Sequence, residues 1–190
     1  FMVLLSAYNV LLSKYTGQED IVVGSPVAGR SHADIENTVG MFVNTLALRN
    51  RPAKDKTFKE FLSEVRKSTL EAFDNQEYQF EELVENVVLK RDLSRNPIFD
   101  TMFTLQNIGI GEIKLDGLSF KPYELEYKMA KFDLTLGAVE DGEKLELCLE
   151  YCTSLYRKDT AKRILAHYAT LLEEIVESQE ALIGDLNILP

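Results

Sequence analysis

The sequence contains no tryptophan, only two cysteines and only two histidines among its 190 residues. Cys148 and Cys152 lie four positions apart in a segment that is typical of a strand, so their side chains share one face of it. A zinc site needs more ligands than these two thiols, and no cluster of histidines lies near them. We therefore expect two free thiols in a reducing, cytoplasmic environment and no bound metal.

Basic residues are also scarce, because 21 lysines and arginines stand against 31 aspartates and glutamates, for a formal net charge of −10. A surface of this charge repels the phosphate backbone of nucleic acids and anionic membranes. No apolar run reaches the length that spans a bilayer, and no basic region or cleavage site indicates a signal peptide. The chain opens at Phe1 and continues directly into apolar sequence, which suggests a fragment of a longer polypeptide.

The motifs of common catalytic sites are missing as well. His32 lies in a polar stretch typical of a loop, and His167 lies beside the apolar stripe of a helix, so neither supports a Ser-His-Asp triad. Gly24-Ser25-Pro26 is not a nucleophile elbow, because the glycine that must follow two residues after the serine is absent. Gly109-Ile110-Gly111 lacks the third glycine of a dinucleotide-binding loop. We predict no catalytic residue in this chain.

What the sequence does contain is hydrophobic periodicity that divides it into helices and strands. Residues 2–15 are apolar on nearly every side, as in a helix that is buried all round. Thr57-Phe58-Lys59-Glu60 has the pattern of a capping box, which predicts a helix beginning there. The other candidate segments are the strands 21–24, 42–49, 101–106 and, more weakly, 118–125, the loop 107–117, the short helix 80–89 and the apolar tail 182–190.

The strongest strand signal is a pair of alternating segments near the C-terminus. Apolar residues recur at every second position around Asp141-Gly142, which predicts an antiparallel hairpin over 132–139 and 144–152. Asp159 or Thr160 is then the predicted cap of a long helix. Its apolar stripe is Ile164, Tyr168, Leu171, Leu172, Ile175 and Val176. These elements together indicate an α/β fold, in which helices pack on one mixed sheet.

Three polar segments lie next to the predicted strands, and they are Gly24–Arg30, Val39–Thr45 and Arg91–Pro97. Loops at strand ends are where binding sites are commonly built. The structural alternative is that Asn44 satisfies backbone groups in a turn and that Arg91–Pro97 is a loop held by an Arg–Asp pair. The residues taken alone favour this structural alternative for all three segments.

In sequence order, these segments resemble motifs of the condensation domains of nonribosomal peptide synthetases, which make peptide antibiotics and other secondary metabolites. That family shows Gly-x-Pro-Val-Ala-Gly-Arg, as in Gly24–Arg30, and Val/Ile-Gly-x-Phe-Val-Asn-Thr, as in Val39–Thr45. It also shows His/Asn-Gln-Asp-Tyr/Val-Pro-Phe-Glu, to which Asn75–Glu81 is similar, and Arg-Asp-x-Ser-Arg-Asn-Pro, as in Arg91–Pro97. Four motifs in the right order make the resemblance strong, and it covers nearly the whole chain.

Two departures from the family pattern matter. Glu77 and Gln79 replace the family's usual aspartate and proline, and Gln79 removes a fixed φ angle from that loop. The family's HHxxxDG motif, whose second histidine lies near the condensing amine, belongs to the preceding half of the domain and has no match here. The resemblance therefore identifies the chain as the C-terminal half of a condensation domain, and we expect it to be inactive alone.

The resemblance also implies a fold and a set of site residues. The fold is similar to chloramphenicol acetyltransferase, with a mixed, mostly antiparallel sheet and packed helices in each of two halves that face each other across a V. The residues near the wall of the substrate tunnel would be Gly24, Ser25, Pro26, Asn44 and Thr45. The residues of structural networks would be Arg30, Arg91, Asp92 and Arg95.

The implied reaction joins two carrier-bound substrates, since the acceptor's amine attacks the donor's thioester and forms an amide. The implied partners are the N-terminal half of the domain, donor and acceptor carrier proteins bearing phosphopantetheine, and an adjacent adenylation domain. No cofactor is expected on the chain itself. We expect residues 1–181 to form the half-domain, 182–190 to begin the connector, and the uncovered apolar surface to allow weak self-association.

Two other functions stay open. One is a non-catalytic module that docks carrier proteins, and an HHxxxDG motif upstream of Phe1 would distinguish the enzyme from it. The other is half of an epimerisation domain. Relatives of that kind tend to carry Gly-x-Gly-Tyr-Gly and Asn-Tyr-Leu-Gly segments, so Gly40–Thr45 and Arg91–Pro97 argue against it.

Overall fold

The computed structural model describes residues 1–88, 92, 95–106, 129–142 and 144–189. The helices within these residues are α1 (Met2–Thr16), α2 (Phe58–Asp74), α3 (Phe80–Val87) and α4 (Lys158–Glu177), with a 3₁₀ turn at Ala33–Ile35. The strands are β1 (Ile21–Val27), β2 (Asn44–Asn50), β3 (Thr101–Gln106), β4 (Leu134–Asp141) and β5 (Lys144–Tyr151). The predicted loop 107–117 and weak strand 118–125 lie outside the described residues.

These strands form one mixed, open sheet in the order β2-β1-β3-β4-β5. The pairs β1–β2 and β4–β5 are antiparallel, whereas β3 runs parallel to β1 and β4. The predicted hairpin is confirmed, because Leu134 is in register with Tyr151 and Asp141 with Lys144. Gly142 completes its turn with a φ of 60°, a conformation that glycine adopts without steric strain. The predicted α/β fold with one mixed sheet is thus confirmed.

Helix α2 begins as its sequence predicts. The Thr57 Oγ1 atom accepts a hydrogen bond from the Glu60 backbone N–H at 3.2 Å, and the Glu60 carboxylate accepts one from the Thr57 N–H at 2.9 Å. Two N–H groups without partners in the helix are satisfied in this way. Phe58, Phe61 and Val65 are buried below this cap and fix the helix to the sheet.

The prediction for α4 was wrong in two details. The N-cap position is held by Arg157, which forms no side-chain cap hydrogen bond, and not by Asp159 or Thr160. Asp159 lies instead in the first turn, where a negative charge suits the helix dipole. Val176 is mostly exposed, since the buried stripe follows the helical period through Tyr168, Leu171 and Ile175 and leaves the next residue rotated toward solvent.

Helices α1, α2 and α4 cover one face of the sheet, which we call the helix-covered face. Tyr8 of α1 is fully buried, contacts the ring of Phe103 and shares a 2.5 Å hydrogen bond with Thr101 Oγ1 on β3. Tyr168 of α4 meets Tyr8 edge to face, with the ring centroids 6.3 Å apart. The strand residues of this face are Ile21, Val23, Ser25, Val27, Asn44, Leu46, Leu48, Thr101, Phe103, Leu134, Leu136, Ala138 and Leu149.

The tail packs against the start of α2. The Ile183 N–H donates to the Lys56 carbonyl oxygen at 2.8 Å, and the Phe58 N–H donates to the Ala181 carbonyl oxygen at 3.1 Å. Ile183 and Leu186 are buried. The first half of the 182–190 segment is therefore attached to the body of the domain.

Candidate functional site

The five predicted tunnel residues lie on β1 and β2 but divide between the two faces of the sheet. Successive strand residues point to opposite faces, and the register pairs Pro26 with Thr45. Ser25 and Asn44 therefore point to the helix-covered face, and Gly24, Pro26 and Thr45 to the opposite one. We call this opposite side the second face, and its residues are Val22, Gly24, Pro26, Thr45, Ala47, Met102, Thr104, Thr135, Gly137 and Val139.

Asn44 uses its whole side-chain amide to hold the segment between α2 and α3. Its Nδ2 atom donates to the carbonyl oxygens of Gln76 and Tyr78, both at 2.8 Å. Its Oδ1 atom accepts from the backbone N–H groups of Thr45 at 2.8 Å and Phe80 at 3.2 Å. The last bond caps α3, whose own N-cap residue forms no side-chain cap. Only 6% of Asn44 is exposed, so its geometry matches the structural alternative.

Gly24 lies directly beneath an aromatic ring. A Cβ atom at this position would come within 2.2 Å of Cε2 of Phe99, which is buried. The Phe99 ring lies 5.4 Å from that of Phe80 and 5.6 Å from that of Phe132, measured between centroids. The glycine is therefore needed for the close approach of Phe99. No sequence signal singled out Phe99.

The remaining three candidates differ in exposure. Ser25 is buried, Pro26 is exposed and Thr45 is half-buried. Pro26 and Thr45 face each other across neighbouring strands on the second face. They are the two predicted tunnel residues that can present a side chain to a substrate from that face.

Arg30 organises the loop between β1 and β2. Its Nη1 atom donates to the carbonyl oxygens of Ile35 at 2.5 Å, Thr38 at 2.8 Å and, more weakly, Glu36 at 3.3 Å. Its Nη2 atom donates to the Gly40 carbonyl oxygen at 3.1 Å. The guanidinium also lies over the ring of Phe42, 4.5 Å from its centroid. This convergence on one cation gives the predicted structural role of Arg30 a definite geometry.

The same loop is fixed at two further points. Gly29 has a φ of 64°, and a Cβ atom there would lie 1.8 Å from the carbonyl oxygen of Phe42, so only glycine fits. The Ser31 hydroxyl donates to the Glu77 carboxylate at 2.7 Å, which ties the loop to the segment before α3. Glu77, the departure from the family's aspartate, is thus a bonding partner of the loop.

An apolar ridge lies on the outside of this loop. Val39, Met41 and Val43 are 100%, 92% and 59% exposed. They alternate with Gly40 and Phe42, which turn inward toward Arg30. A cluster of exposed apolar side chains of this size is typical of an interaction surface.

The 91–97 motif is described in part, and Arg91 lies outside the described residues. Arg95 Nη2 donates to Asp100 Oδ2 at 3.0 Å, a charge-assisted hydrogen bond between this loop and the residue that precedes β3. Asp92 also has an interaction partner. Asp92 and Arg95 line a cleft of about 790 Å³ beside α3.

Arg95 and Asp100 also line a neighbouring cleft together with Asp133. Burial, and then the neighbouring carboxylate of Asp100, raise the pKa of Asp133 above the ordinary aspartate value. Arg95 opposes this shift in the pKa of Asp133. The arrangement is a network of charged groups at the start of β3 and β4.

Neither histidine belongs to the site. His32 is exposed, and its Nδ1 atom accepts a 3.3 Å hydrogen bond from the Asp34 N–H. His167 is buried in the helix layer, with its Nδ1 atom 2.8 Å from the hydroxyl of Tyr15 on α1. Among the described residues, no group of three His, Cys, Asp or Glu side chains could hold a metal ion. In the same part of the chain, no helix is long and apolar enough to cross a membrane.

Comparison with known sequences indicates the same family as the sequence motifs. The profile of the family described as "Condensation domain" matches residues 1–190. Gramicidin S synthase 2 of Brevibacillus brevis is 54% identical over 191 residues, and bacitracin synthase 3 of Bacillus licheniformis is 51% identical over 189 residues. Both alignments cover 100% of this chain but only 4% and 3% of those proteins. The chain therefore spans a small part of the relatives that it matches.

Comparison with solved structures shows the same fold. A four-domain nonribosomal peptide synthetase bound to AMP and glycine matches with a TM-score of 0.91 at 26% identity, covering 100% of this chain and 16% of that one. The X-domain in its complex with OxyB from teicoplanin biosynthesis matches at 0.85 and 25%, covering 100% and 42%. The first condensation domain of the CDA synthetase matches at 0.78 and 19%, with the same coverage, and supports the fold alone.

Proposed function

Because the chain belongs to the condensation-domain family, we propose that it forms one wall of the substrate tunnel in a nonribosomal peptide synthetase. The observation that carries this proposal is the match of the whole chain to peptide-antibiotic synthetases, made by a chain in which two motif residues, exposed Pro26 and half-buried Thr45, lie together on the second face of the sheet. Pro26 and Thr45 are the residues that we assign to the tunnel wall.

In the proposed reaction, the amine of an acceptor substrate attacks the carbonyl carbon of a donor thioester. A C–N bond forms, the C–S bond breaks, and the thiol of the donor's phosphopantetheine leaves with the proton that the amine loses. His167 is buried among the helices, with its Nδ1 atom bonded to the Tyr15 hydroxyl, and His32 is an exposed residue of the β1–β2 loop. We therefore assign no general base to either histidine. The chain's share is to orient the two substrates and exclude water, which lowers the entropic part of the barrier.

The proposed partners follow from this role. They are the N-terminal half of the domain, which completes the tunnel, two carrier proteins with phosphopantetheine-tethered substrates, and an adenylation domain. We propose that residues 1–181 form the half-domain and that 182–190 lead toward the next domain, with Ile183 and Leu186 anchoring the start of that segment. The apolar ridge at Val39, Met41 and Val43 is a surface for the N-terminal half.

A second candidate function is an interaction module without chemistry. The observation that favours it is the likeness to the X-domain, whose solved structure is a complex with OxyB. In this alternative the chain docks a partner protein and forms no amide.

The two candidates separate in one assay. The chain is mixed with donor- and acceptor-loaded carrier proteins, with and without the N-terminal half of the domain, and dipeptidyl product is measured by mass spectrometry. We expect product only when the N-terminal half is present. Product from the chain alone would refute the one-wall proposal, and carrier binding without product under both conditions would favour the interaction module.

A further inference from the structure

Arg30 forms an unusually complete set of bonds for a residue at the protein surface. Four backbone carbonyl oxygens, from Ile35, Glu36, Thr38 and Gly40, converge on the two terminal nitrogens of its guanidinium. The face of the same group lies over the ring of Phe42. The β1–β2 loop is therefore folded around this one cation.

Arginine is the side chain that can do this. Its guanidinium is planar and always charged, it carries several N–H donors in a fixed fork, and it stacks on aromatic rings. A lysine ammonium is a single point with three donors, so it cannot reach carbonyl oxygens on both sides of the fork and stack at the same time. Lys is consequently a substitution that keeps the charge and removes the geometry.

The bonds to Arg30 determine which side chains of the loop face outward. The Gly40 carbonyl and the Phe42 ring are both turned toward the guanidinium. With these two groups bound to the guanidinium, the side chains of Val39, Met41 and Val43 face solvent, as their exposure shows. Without Arg30, the loop has no evident reason to expose these three apolar residues while the ring of Phe42 stays partly buried.

We propose that Arg30 is a positioning residue for the condensation reaction, because it holds the loop so that the ridge of Val39, Met41 and Val43 meets the other half of the domain. This inference rests on the proposed function. We choose the other half of the domain as the partner of the ridge because a solved condensation domain with this fold is more than twice as long as the chain. The ridge sits on the loop that joins the two strands of Pro26 and Thr45, so docking there fixes the second face relative to the opposite wall.

The test compares three single variants. Arg30→Lys is the perturbation, and Arg49→Lys is the matched control, because Arg49 forms a two-pronged ion pair with Asp20 on another part of the surface. Met41→Ser removes part of the ridge and leaves the bonds of Arg30 in place. Hydrogen exchange of the loop amides and the melting temperature are measured in the chain, and the rate of amide formation is measured in the complete condensation domain that contains it.

For Arg30→Lys we expect the amides of Ile35, Glu36 and Thr38 to exchange about tenfold faster. The carbonyl oxygens of these residues lose their bonds to a charged group, so the loop opens more often. We expect amide formation to fall by about the same factor, while the melting temperature stays within about 2 °C because the loop lies outside the core. Met41→Ser should lower amide formation with exchange unchanged. Arg49→Lys should change neither quantity.

Three outcomes would overturn the inference. Wild-type exchange in Arg30→Lys would show that Arg30 does not hold the loop. Faster exchange with undiminished amide formation would show that the loop conformation has no bearing on the reaction, and so would full activity of Met41→Ser. Absence of product from the wild-type complete domain would instead refute the proposed function, and the positioning role with it, so the two failures are distinguishable.

Discussion

Asn44→Ala is the substitution for which the structure gives the most definite expectation. Its side chain forms two donor and two acceptor hydrogen bonds at 2.8–3.2 Å, and none of the four can be replaced by alanine. A neutral hydrogen bond contributes about 1 kcal/mol, so the four together contribute about 4 kcal/mol. Water can reach some of the freed groups, which gives an expected loss of about 2–4 kcal/mol in the free energy of unfolding.

The assay is urea unfolding of the chain, followed by circular dichroism. Asn86→Ala is the matched control, because Asn86 is an exposed asparagine of α3 whose amide bonds the Tyr78 hydroxyl and the Glu82 carbonyl. We expect this control to lose less than about 1 kcal/mol. Asn44→Asp keeps both acceptors and removes both donors, so it should be at least as unstable as Asn44→Ala. A loss of under about 0.5 kcal/mol in Asn44→Ala would contradict the structural role and return Asn44 to the tunnel wall.

Three further predictions concern other parts of the motifs. Gly24→Ala should lower the free energy of unfolding by about 1–3 kcal/mol, because the added methyl group overpacks against Phe99. Combining it with Phe99→Leu in a double-mutant cycle should recover part of this loss, and additive losses would exclude the contact. Hydrogen bonds from Thr57 lower the pKa of Glu60 in the folded state. The stability that these bonds add is fully present above the pKa of an unfolded glutamate, about 4.3, and it is lost as the pH falls through the lower pKa of the folded state. Glu60→Gln should therefore flatten that part of the pH–stability profile, and an unchanged acid limb would count against the capping box. Asp92→Ala should lower the melting temperature, because Asp92 has an interaction partner. The expected shift is roughly 2–4 °C for each kcal/mol lost from the free energy of unfolding. An unchanged melting temperature would refute the structural role of Asp92.

The strands and helices could be predicted where the pattern is local. Alternation around Asp141-Gly142 located the β4–β5 hairpin, and the Thr57–Glu60 pattern located the start of α2. Both signals depend on residues close together in the chain, where backbone geometry alone fixes the outcome. The predicted N-cap of α4 was wrong because aspartate is favoured both at the N-cap and in the first turn of a helix, so the sequence does not distinguish the two positions for Asp159.

The site was harder to predict, because its bonds join residues that are distant in sequence. The four partners of Asn44 include atoms 32 to 36 residues away, and no local pattern contains that information. The alternation of side chains along a strand could have placed Ser25 and Asn44 on the helix-covered face. That inference needs the register of β1 with β2, which the sequence does not give. Phe99 could not have been identified, since its contact with Gly24 crosses from one motif to the edge of another.

The motif segments act together through these long-range bonds. Asn44 connects the second motif to the third, the Ser31–Glu77 bond ties the loop after the first motif to the third, and the Gly24–Phe99 contact joins the first motif to the residues that follow the fourth. Each connection fixes a backbone position, and none places a nucleophile or a base on the second face. Under the proposed function, a chain built in this way contributes to the reaction through geometry, because holding two substrates in the reacting orientation can replace up to about 7–11 kcal/mol of entropic barrier. Such an effect depends on displacements of about 1 Å, so we expect the rigidity of the motif network to be the property that links this chain to the rate of the proposed amide formation.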